Sequence, residues 1–279
     1  AKKKSDLTGS ITALSEKDFN KGAITSAEGL LNGRTSGVVV TQSGTPGNDA
    51  VIRVRGGSSL LSSNDPLIVI DGLPVEGGLS SINPNDIESF SILKDASSTA
   101  IYGNRGSNGV ILITTKKGSK KKLQVSFNSF TTYNTLAKNV DVYNGDQFRE
   151  IINTMAPDKA NLLGTSNTNW QDLIFRNTAS FDSNLSLMGN LFDKIPSRLS
   201  IGHTENEGLL LTSNYKRSTA SFTLNPTLFD NHLKLNISGN YTYAFRTNAD
   251  EGAIGSAISY DPTQSPYDAQ TPFAGYREW

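Results

Sequence analysis

Cysteine is absent from the 279-residue chain, and histidine occurs only twice. The absence of cysteine excludes a disulfide framework and any cysteine-based metal or redox site. Long apolar runs are also missing, since the longest are pieces such as LIVI and VVV. A transmembrane helix needs roughly 20 apolar residues, so a membrane protein built of helices is excluded.

The chain also lacks an excess of charge, with 26 basic and 26 acidic residues. Nothing in this balance predicts attraction to nucleic acid or to an anionic surface, so partners must be inferred from individual sites. His203 and His232 stand alone, without a second ligand at metal-binding spacing. No nucleophile with an accompanying base is found, so we expect no catalytic residues, no metal site and no enzymatic activity.

The beginning of the chain is basic, Ala1-Lys2-Lys3-Lys4, and no apolar segment follows it. We therefore expect any secretion signal to have been removed already.

A segment at residues 86–118 with glycine-rich joints has the most specific pattern in the chain. Asn83 can cap a short helix that begins at Pro84, with Asp86 placed to satisfy free amides. The segment then predicts a strand at residues 90–93, a helix at 96–102 that Gly103 ends, and a strand at 110–114. The order is strand, helix, strand, with glycine at the joints.

The pattern of the sequence changes near Gly118. Before it, short runs separated by Gly, Pro and Ser predict a compact mixed α/β domain, and Thr25 and Glu28 have capping-box spacing for a short helix. After it, residues 233–245 alternate between apolar and polar and end in aromatics, which is typical of a transmembrane barrel strand. Weaker versions occur at residues 123–133, 181–190, 198–205 and 215–228, with helical patches at 146–155 and 170–175.

Six motifs follow one another in a specific order: LTGSI (7–11), LLNGRTSGVVVTQSGTPG (30–47), IRVRGG (52–57), PLIVIDG (66–72), LKDASSTAIYG (93–103) and ILITTKKG (111–118). In this order the chain resembles the plug domain of TonB-dependent outer-membrane transporters of the SusC/RagA type. NWQDLIFRNTA (169–179) and NLSLMGN (184–190) are similar to the first barrel segments of that family. Phe90 and Asn104 depart from its usual aliphatic residue and serine.

The resemblance implies an α+β plug domain at residues 1–118, followed by antiparallel transmembrane β-barrel strands at 119–279. Five candidate strands cannot close a barrel, because bacterial barrels begin at about 8 strands and plugged transporters have roughly 22. We therefore expect the chain to be an incomplete portion of a large, roughly 22-stranded barrel.

Arg53 and Arg55 lie two apart on a predicted strand and share one face, opposite to Ile52 and Val54. Guanidinium groups on a core strand need carboxylate or carbonyl partners. The resemblance favours a plug–barrel interface, in which acidic residues of the barrel wall pair with both arginines. The alternative is that both face solvent on a soluble domain.

Several glycines and their neighbours mark predicted turns of the plug. The residues assigned to these turns are Gly56, Asp71, Gly72, Gly103, Arg105 and Gly106. Asp71-Gly72 follows LIVI and predicts a tight turn, and Gly103, Gly106 and Gly109 let the chain turn before the strand at 110–114. Arg105-Gly106 lacks the strand, glycine, lysine and helix order of a phosphate-binding loop.

A basic cluster follows the last plug strand and consists of Lys116, Lys117, Lys120, Lys121 and Lys122. Two interpretations remain open. The lysines bind anionic lipid headgroups near a membrane rim, or they form a solvated linker.

The resemblance implies TonB-dependent import of a glycan or oligosaccharide across the bacterial outer membrane. TonB would act through a segment upstream of Ala1, and a SusD-like surface lipoprotein would cover the barrel as a lid. Outer-membrane lipid would surround the barrel, and no cofactor or nucleic acid is implied. Two alternatives stay open: an oligopeptide importer of the RagA branch, and a surface glycan-binding module, which solubility without detergent would distinguish.

Overall fold

The computed structural model describes residues 11–22, 24–54, 64–75, 78–95, 99–230, 232–268 and 275. The chain divides into two compact units. The first is Ala1–Thr132, Ala179–Glu207 and Asn214–Thr247, and the second is Tyr133–Thr178, Gly208–Ser213 and Asn248–Trp279. In the described ranges no helix has the length and apolar character needed to cross a membrane.

The plug contains a mixed five-stranded sheet with the order β1-β6-β7-β4-β5. Only β4 and β7 pair in parallel, and the other neighbours are antiparallel. A separate antiparallel hairpin is formed by β2 and β3. The strands are β1 (Ile11–Ser15), β2 (Val38–Thr41), β3 (Val51–Val54), β4 (Leu67–Ile70), β5 (Leu73–Val75), β6 (Ile87–Leu93) and β7 (Val110–Thr115).

Apolar side chains cover both faces of this plug sheet. On one face Phe90 and Ile111 are fully buried, and the Phe90 ring meets the ring of Phe19 edge-on at a centroid distance of 5.4 Å. On the other face a smaller cluster includes Val69 and Val110. Burial on both faces explains why the plug strands read as continuous apolar runs such as LIVI.

The glycine-rich segment follows the predicted order with changes in detail. A 3-10 helix at Pro84–Asp86 begins as predicted, because the Asn83 side chain accepts from the Asn85 backbone N–H at 2.9 Å. Residues 96–98 of the predicted helix lie outside the described residues, and the observed element is a 3-10 helix at Ala100–Gly106. Gly103 is non-helical, with φ of 60° and ψ of −147°, and separates two helical turns within this range, so the first turn ends at Gly103 as predicted.

The barrel part is an antiparallel sheet with the order β14-β11-β10-β9-β8. Its strands are β8 (Gln124–Asn134), β9 (Thr178–Leu191), β10 (Ile195–Glu207), β11 (Asn214–Leu224) and β14 (Ile237–Thr247), and a short hairpin joins β12 (Thr227–Leu228) to β13 (Leu233–Lys234). Each of the five predicted strand regions therefore contains an observed strand, although the one predicted at 215–228 ends at Leu224 and its last two residues belong to the short hairpin.

The predicted strand at residues 233–245 is wrong at its start. Pairing between β11 and β14 begins with Leu224 opposite Ile237. Leu233 and Lys234 belong to the separate hairpin, and the Leu235 backbone N–H donates to the Pro226 carbonyl at 3.0 Å. Pro226 has no N–H to donate to a ladder, which is consistent with the end of β11 before it.

Burial alternates along β9, β10 and β11 as predicted, whereas β8 and β14 are exposed at nearly every position. On β10, Arg198, Ser200 and Thr204 are buried, whereas Leu199 and Ile201 are exposed. On β14, Tyr241, Tyr243 and Phe245 are exposed. A sheet with an apolar outer face and a polar inner face suits lipid on one side and a polar interior on the other.

The second unit is built mainly from helices. They are α1 (Gly145–Met155), a 3-10 helix at Pro157–Leu162, α2 (Trp170–Ile174) and α3 (Gly252–Ser259). Asn144 and Gln147 form a reciprocal capping box at the start of α1. Trp170 packs edge-on against Tyr260 and donates to the Asp261 carbonyl at 3.1 Å. The two predicted helical patches are thereby confirmed.

Candidate functional site

Asp86 links the plug to the barrel strands through a buried ion pair. Its carboxylate accepts from Arg198 of β10 at 2.7 Å and from the Ser221 hydroxyl of β11, also at 2.7 Å. The Asp86 and Arg198 side chains are only 10% and 4% exposed. We expected Asp86 to satisfy free amides of its own helix, but its side chain contacts two barrel strands instead. The Asn83 side chain caps that helix.

Arg217 of β11 holds two separate segments of the plug. Its guanidinium donates to the carbonyls of Ser80 at 2.5 Å, Ile82 at 3.1 Å and Thr25 at 2.9 Å. The residue is only 2% exposed. A planar guanidinium with several donors can reach three carbonyls that a lysine ammonium could not reach together.

Two glycines allow side chains to approach the backbone closely where the plug meets the sheet. The Asn83 amide donates to Thr219 of β11 at 3.1 Å. A Cβ atom on Gly202 of β10 would lie 2.4 Å from the side-chain nitrogen of Asn83, so a larger residue there would displace the Asn83 side chain. Similarly, a Cβ atom on Gly47 would lie 2.2 Å from the ring of Tyr215, whose hydroxyl donates to the Ser80 carbonyl.

Arg246 of β14 makes a third arginine contact with the plug. It donates to the Gly47 carbonyl at 3.2 Å and to the Asn48 side-chain oxygen at 2.6 Å. Each of the three arginines on β9 to β14 therefore reaches the plug. In the buried ion pair the arginine, Arg198, lies on a barrel strand and the acidic partner, Asp86, lies on the plug.

Glu28 is a buried carboxylic acid of the plug. It is 1% exposed, and within the described ranges neither carboxylate oxygen has a hydrogen-bond partner. Burial raises the pKa of Glu28 above its usual value, and the Asp49 carboxylate adds to the rise. The expected capping box with Thr25 does not form, since Ala27 is the N-cap and the Thr25 carbonyl accepts from Arg217.

The predicted arginine pair is described in part. Arg53 is exposed on β3, while Ile52 and Val54 are buried, which confirms the predicted alternation of that strand. No carboxylate in the described part of the chain pairs with Arg53. Arg55 and Gly56 lie outside the described residues. The role of this pair at a barrel wall stays a prediction.

The tight turn at Asp71-Gly72 is confirmed, since both residues have positive φ, 49° and 91°. The turn joins β4 to β5, and two positive φ values are typical of a two-residue hairpin turn. The Asp71 carboxylate also accepts from the Thr115 backbone N–H at 3.0 Å, which fixes the end of β7.

The other predicted turn residues lie along the 3-10 helix at Ala100–Gly106. Arg105 is exposed, and Gly106 is buried. Gly106 does not have a positive φ, in contrast to Gly103 and Gly109. These residues shape the plug, and they do not converge with Asp71 and Gly72 on one site.

Sequence reasoning missed the barrel arginines. Arg198 and Arg217 sit at inward positions of alternating strands whose outward neighbours are apolar or exposed. A charged residue at an inward position needs a partner, and this signal was present in the pattern. The pattern does not identify that partner, because Asp86 and Ser80 are more than a hundred residues away in sequence.

Comparison with known proteins agrees with this arrangement of plug and strands. Residues 3–110 match the family model of the TonB-dependent receptor plug domain. The chain is 46% identical over 97% of its length to the TonB-dependent receptor SusC of Bacteroides thetaiotaomicron, covering 28% of that protein. It is 36% identical over 99% of its length to the TonB-dependent receptor P26 of Formosa agariphila, covering 29% of it.

The fold matches a solved structure described as the RagAB peptide transporter, with a TM-score of 0.77 and 24% identity over 88% of this chain and 32% of that one. The chain is thus a portion of a TonB-dependent transporter, with a plug domain and an antiparallel sheet from the barrel. Within this class it belongs to the SusC/RagA type. It spans less than a third of the length of the relatives it matches.

Proposed function

We propose that the whole protein imports an oligosaccharide across the bacterial outer membrane, with residues 1–118 as the plug and 119–279 as the beginning of the barrel. The observation that carries this proposal is the buried polar network from Asp86 and Ser80 to Arg198 and Arg217. It joins a compact domain to the inner face of a sheet whose outer face is apolar, which is the arrangement of a plugged barrel.

The chemistry of this interface suits a plug that is displaced and reseated. Contacts to carbonyls and hydroxyls can be exchanged for contacts to water at a small net cost, whereas an apolar interface would expose hydrocarbon on opening. TonB would pull on a segment upstream of Ala1. The first strand after that segment is β1, which lies at the edge of the plug sheet. Such transport involves no covalent step and therefore needs no catalytic residue or cofactor.

The substrate class rests on the degree of similarity. The chain is 46% identical to SusC and 24% identical to the chain of the RagAB peptide transporter. The likeness to the SusC branch favours a glycan, and it also favours a SusD-like lipoprotein as the lid that holds it. An oligopeptide is the second candidate, supported by the RagAB fold match. We also propose that Arg53 and Arg55 contact barrel strands beyond those described.

The test is uptake of labelled oligosaccharides and, separately, labelled oligopeptides by cells that carry or lack the full-length gene. Uptake should require the gene and an active TonB, and it should favour oligosaccharides. Preference for peptides would select the second candidate. Gene-dependent uptake that persists without TonB would contradict the transport mechanism, and full solubility of the intact protein without detergent would favour a surface module.

A further inference from the structure

An apolar groove of about 480 Å³ lies on the outer face of the barrel sheet. Leu187 and Leu191 of β9, Leu199 of β10 and Phe222 of β11 line it. Leu199 and Phe222 occupy outward positions, because they alternate with the buried residues of the same strands. The groove therefore opens away from the plug, on the side that would contact lipid.

The connections between the strands identify the end of the barrel at which the groove lies. Residues 192–194 alone join β9 to β10, whereas residues 135–177 join β8 to β9. Bacterial barrels have short turns on the periplasmic side and longer loops outside. Leu191, which lines the groove, directly precedes the short turn, so the groove reaches the periplasmic rim.

The passage from plug to barrel runs along the same rim. Ser119 forms a β-bridge with Ser197, and the Gly118 backbone N–H donates to the Asn225 side chain at 3.1 Å. The chain then reaches Leu123, which lines the groove and whose Cα lies 3.1 Å from the position of a Cβ on Gly189.

Four lysines lie close in the chain to residues that line the groove. Lys120, Lys121 and Lys122 directly precede Leu123, and Lys194 lies in the short turn. All four are exposed, and no carboxylate of the described residues forms an ion pair with them. Asp193 is the acidic neighbour of Lys194 in that turn. The rim thus combines an apolar cleft with an excess of positive charge.

The short turn also presents an aromatic side chain. Phe192 lines the groove, is 80% exposed and has a φ of 52°. The same tripeptide, Leu-Phe-Asp, recurs at residues 228–230, where Phe229 is 75% exposed with the same φ. A bulky residue in the left-handed region is uncommon. Two such turns at one rim are consistent with aromatic side chains placed at the membrane interface.

We propose that this groove binds one acyl chain of an anionic phospholipid of the periplasmic leaflet, with its phosphate held by Lys120, Lys121, Lys122 and Lys194. The inference rests on the proposed outer-membrane location. The apolar lining of the groove matches the acyl chain of such a lipid, and the lysines match its anionic headgroup. Basic residues near a membrane surface attract anionic headgroups. The basic cluster has two interpretations, headgroup binding and a solvated linker. This proposal takes Lys120 to Lys122 as residues that bind a lipid headgroup.

The bound lipid would also have a mechanical role. Lys120 to Lys122 form the link between the last plug strand and β8, and a headgroup held there would fix this link at the membrane surface. The first barrel strand would then stay in place while the plug moves.

The test is native mass spectrometry of the purified full-length transporter with equal amounts of phosphatidylglycerol and phosphatidylcholine of the same acyl chains. We expect phosphatidylglycerol to be retained preferentially. Replacing Lys121 and Lys122 together with Gln should lower its affinity roughly fivefold per lysine, with little effect on phosphatidylcholine. The matched control replaces Lys138 and Lys159 with Gln and should leave both lipids unchanged.

A second variant, Leu199→Trp, fills the groove and should reduce retention of both lipids. If this variant fails to insert, Phe222→Trp takes its place. Equal retention of the two lipids by the unaltered protein, or equal losses in the lysine variant and its control, would overturn the proposal. So would displacement of phosphatidylglycerol by lipid A, because lipid A belongs to the opposite leaflet.

These outcomes are distinguishable from a failure of the proposed function. Normal TonB-dependent uptake without a preference for phosphatidylglycerol would reject the lipid site alone. Specific lipid binding by a membrane-inserted protein that shows no TonB-dependent uptake would reject the transport function alone.

Discussion

Asp86 and Arg198 form an ion pair of 2.7 Å, buried where the plug meets β10. Ser221 donates to the second carboxylate oxygen, so both oxygens of Asp86 are used by barrel strands. Removing one member of a buried pair leaves the other charge without compensation. The pair should therefore be among the positions where a small change in side-chain chemistry unseats the plug.

Asp86→Asn keeps the shape of the side chain and removes its charge. We expect a loss of about 3–5 kcal/mol in the free energy that seats the plug, because Arg198 stays buried without a counter-charge. Urea titration of the purified full-length transporter measures this loss. Glu88→Gln, at an exposed position of β6 two residues on, is the control and should change little. Equal effects of the two variants would contradict the assignment.

Arg217→Met removes the guanidinium that contacts Thr25, Ser80 and Ile82 and keeps an apolar side chain of similar reach. Each hydrogen bond from a charged group contributes about 1.5–3 kcal/mol, so we expect the plug to open without TonB. The measurement is entry of a large hydrophilic antibiotic into cells that lack active TonB. Lys216→Met, the neighbouring outward position that pairs with Glu205, should leave the cells resistant.

Glu28→Gln tests the buried carboxylic acid. Since the pKa of Glu28 is raised in the folded plug, the unfolded chain loses this proton at a lower pH, near 4.5, than the folded chain does. The folded state therefore loses stability as pH rises above 4.5 until the folded pKa is passed. Gln, which stays neutral, should make the plug more stable at pH 7 and give no gain below pH 4.5.

The check is the unfolding midpoint of the full-length transporter across this pH range. Glu88→Gln again serves as the control, because that side chain is exposed. If Glu28→Gln leaves the pH dependence of the unfolding midpoint unchanged, the pKa of Glu28 does not differ between the folded and unfolded states.

Substitutions at Gly106 and Gly109 test whether the turns before β7 need glycine, for a different physical reason at each position. A Cβ on Gly106 would lie 3.0 Å from the Thr99 carbonyl oxygen, so Gly106→Val should cost about 1–3 kcal/mol through crowding. Gly109 has φ of 93° and faces Val54 at 3.0 Å, so Gly109→Ala combines crowding with backbone strain. We expect substrate uptake to fall in both variants more than substrate capture at the cell surface.

Gly44→Ala is the matched control, because a Cβ there meets nothing within 4 Å. Labelled-substrate uptake and binding to whole cells are compared at equal outer-membrane levels of each protein. Normal uptake by a well-inserted Gly106→Val protein would show that this joint tolerates a side chain.

Local patterns in the sequence were sufficient for most elements of this fold. The Asn83-Pro84 start, the Asp71-Gly72 turn and the alternation on β10 depend on neighbours within a few residues, and each is observed as predicted. The strand at 233–245 was placed wrongly at its start, because its pairing with β11, and not its own alternation, decides where β14 begins.

What the sequence by itself determined is the order of elements, the inward and outward faces of the strands and the family. The tertiary structure decided which residues hold the plug. Asp86 and Arg198 are 112 residues apart, and Arg217 reaches Thr25 across 192 residues. Periodicity specifies the direction of a side chain, but contact between distant residues depends on how the plug lies against the sheet, and only the folded chain brings those atoms together.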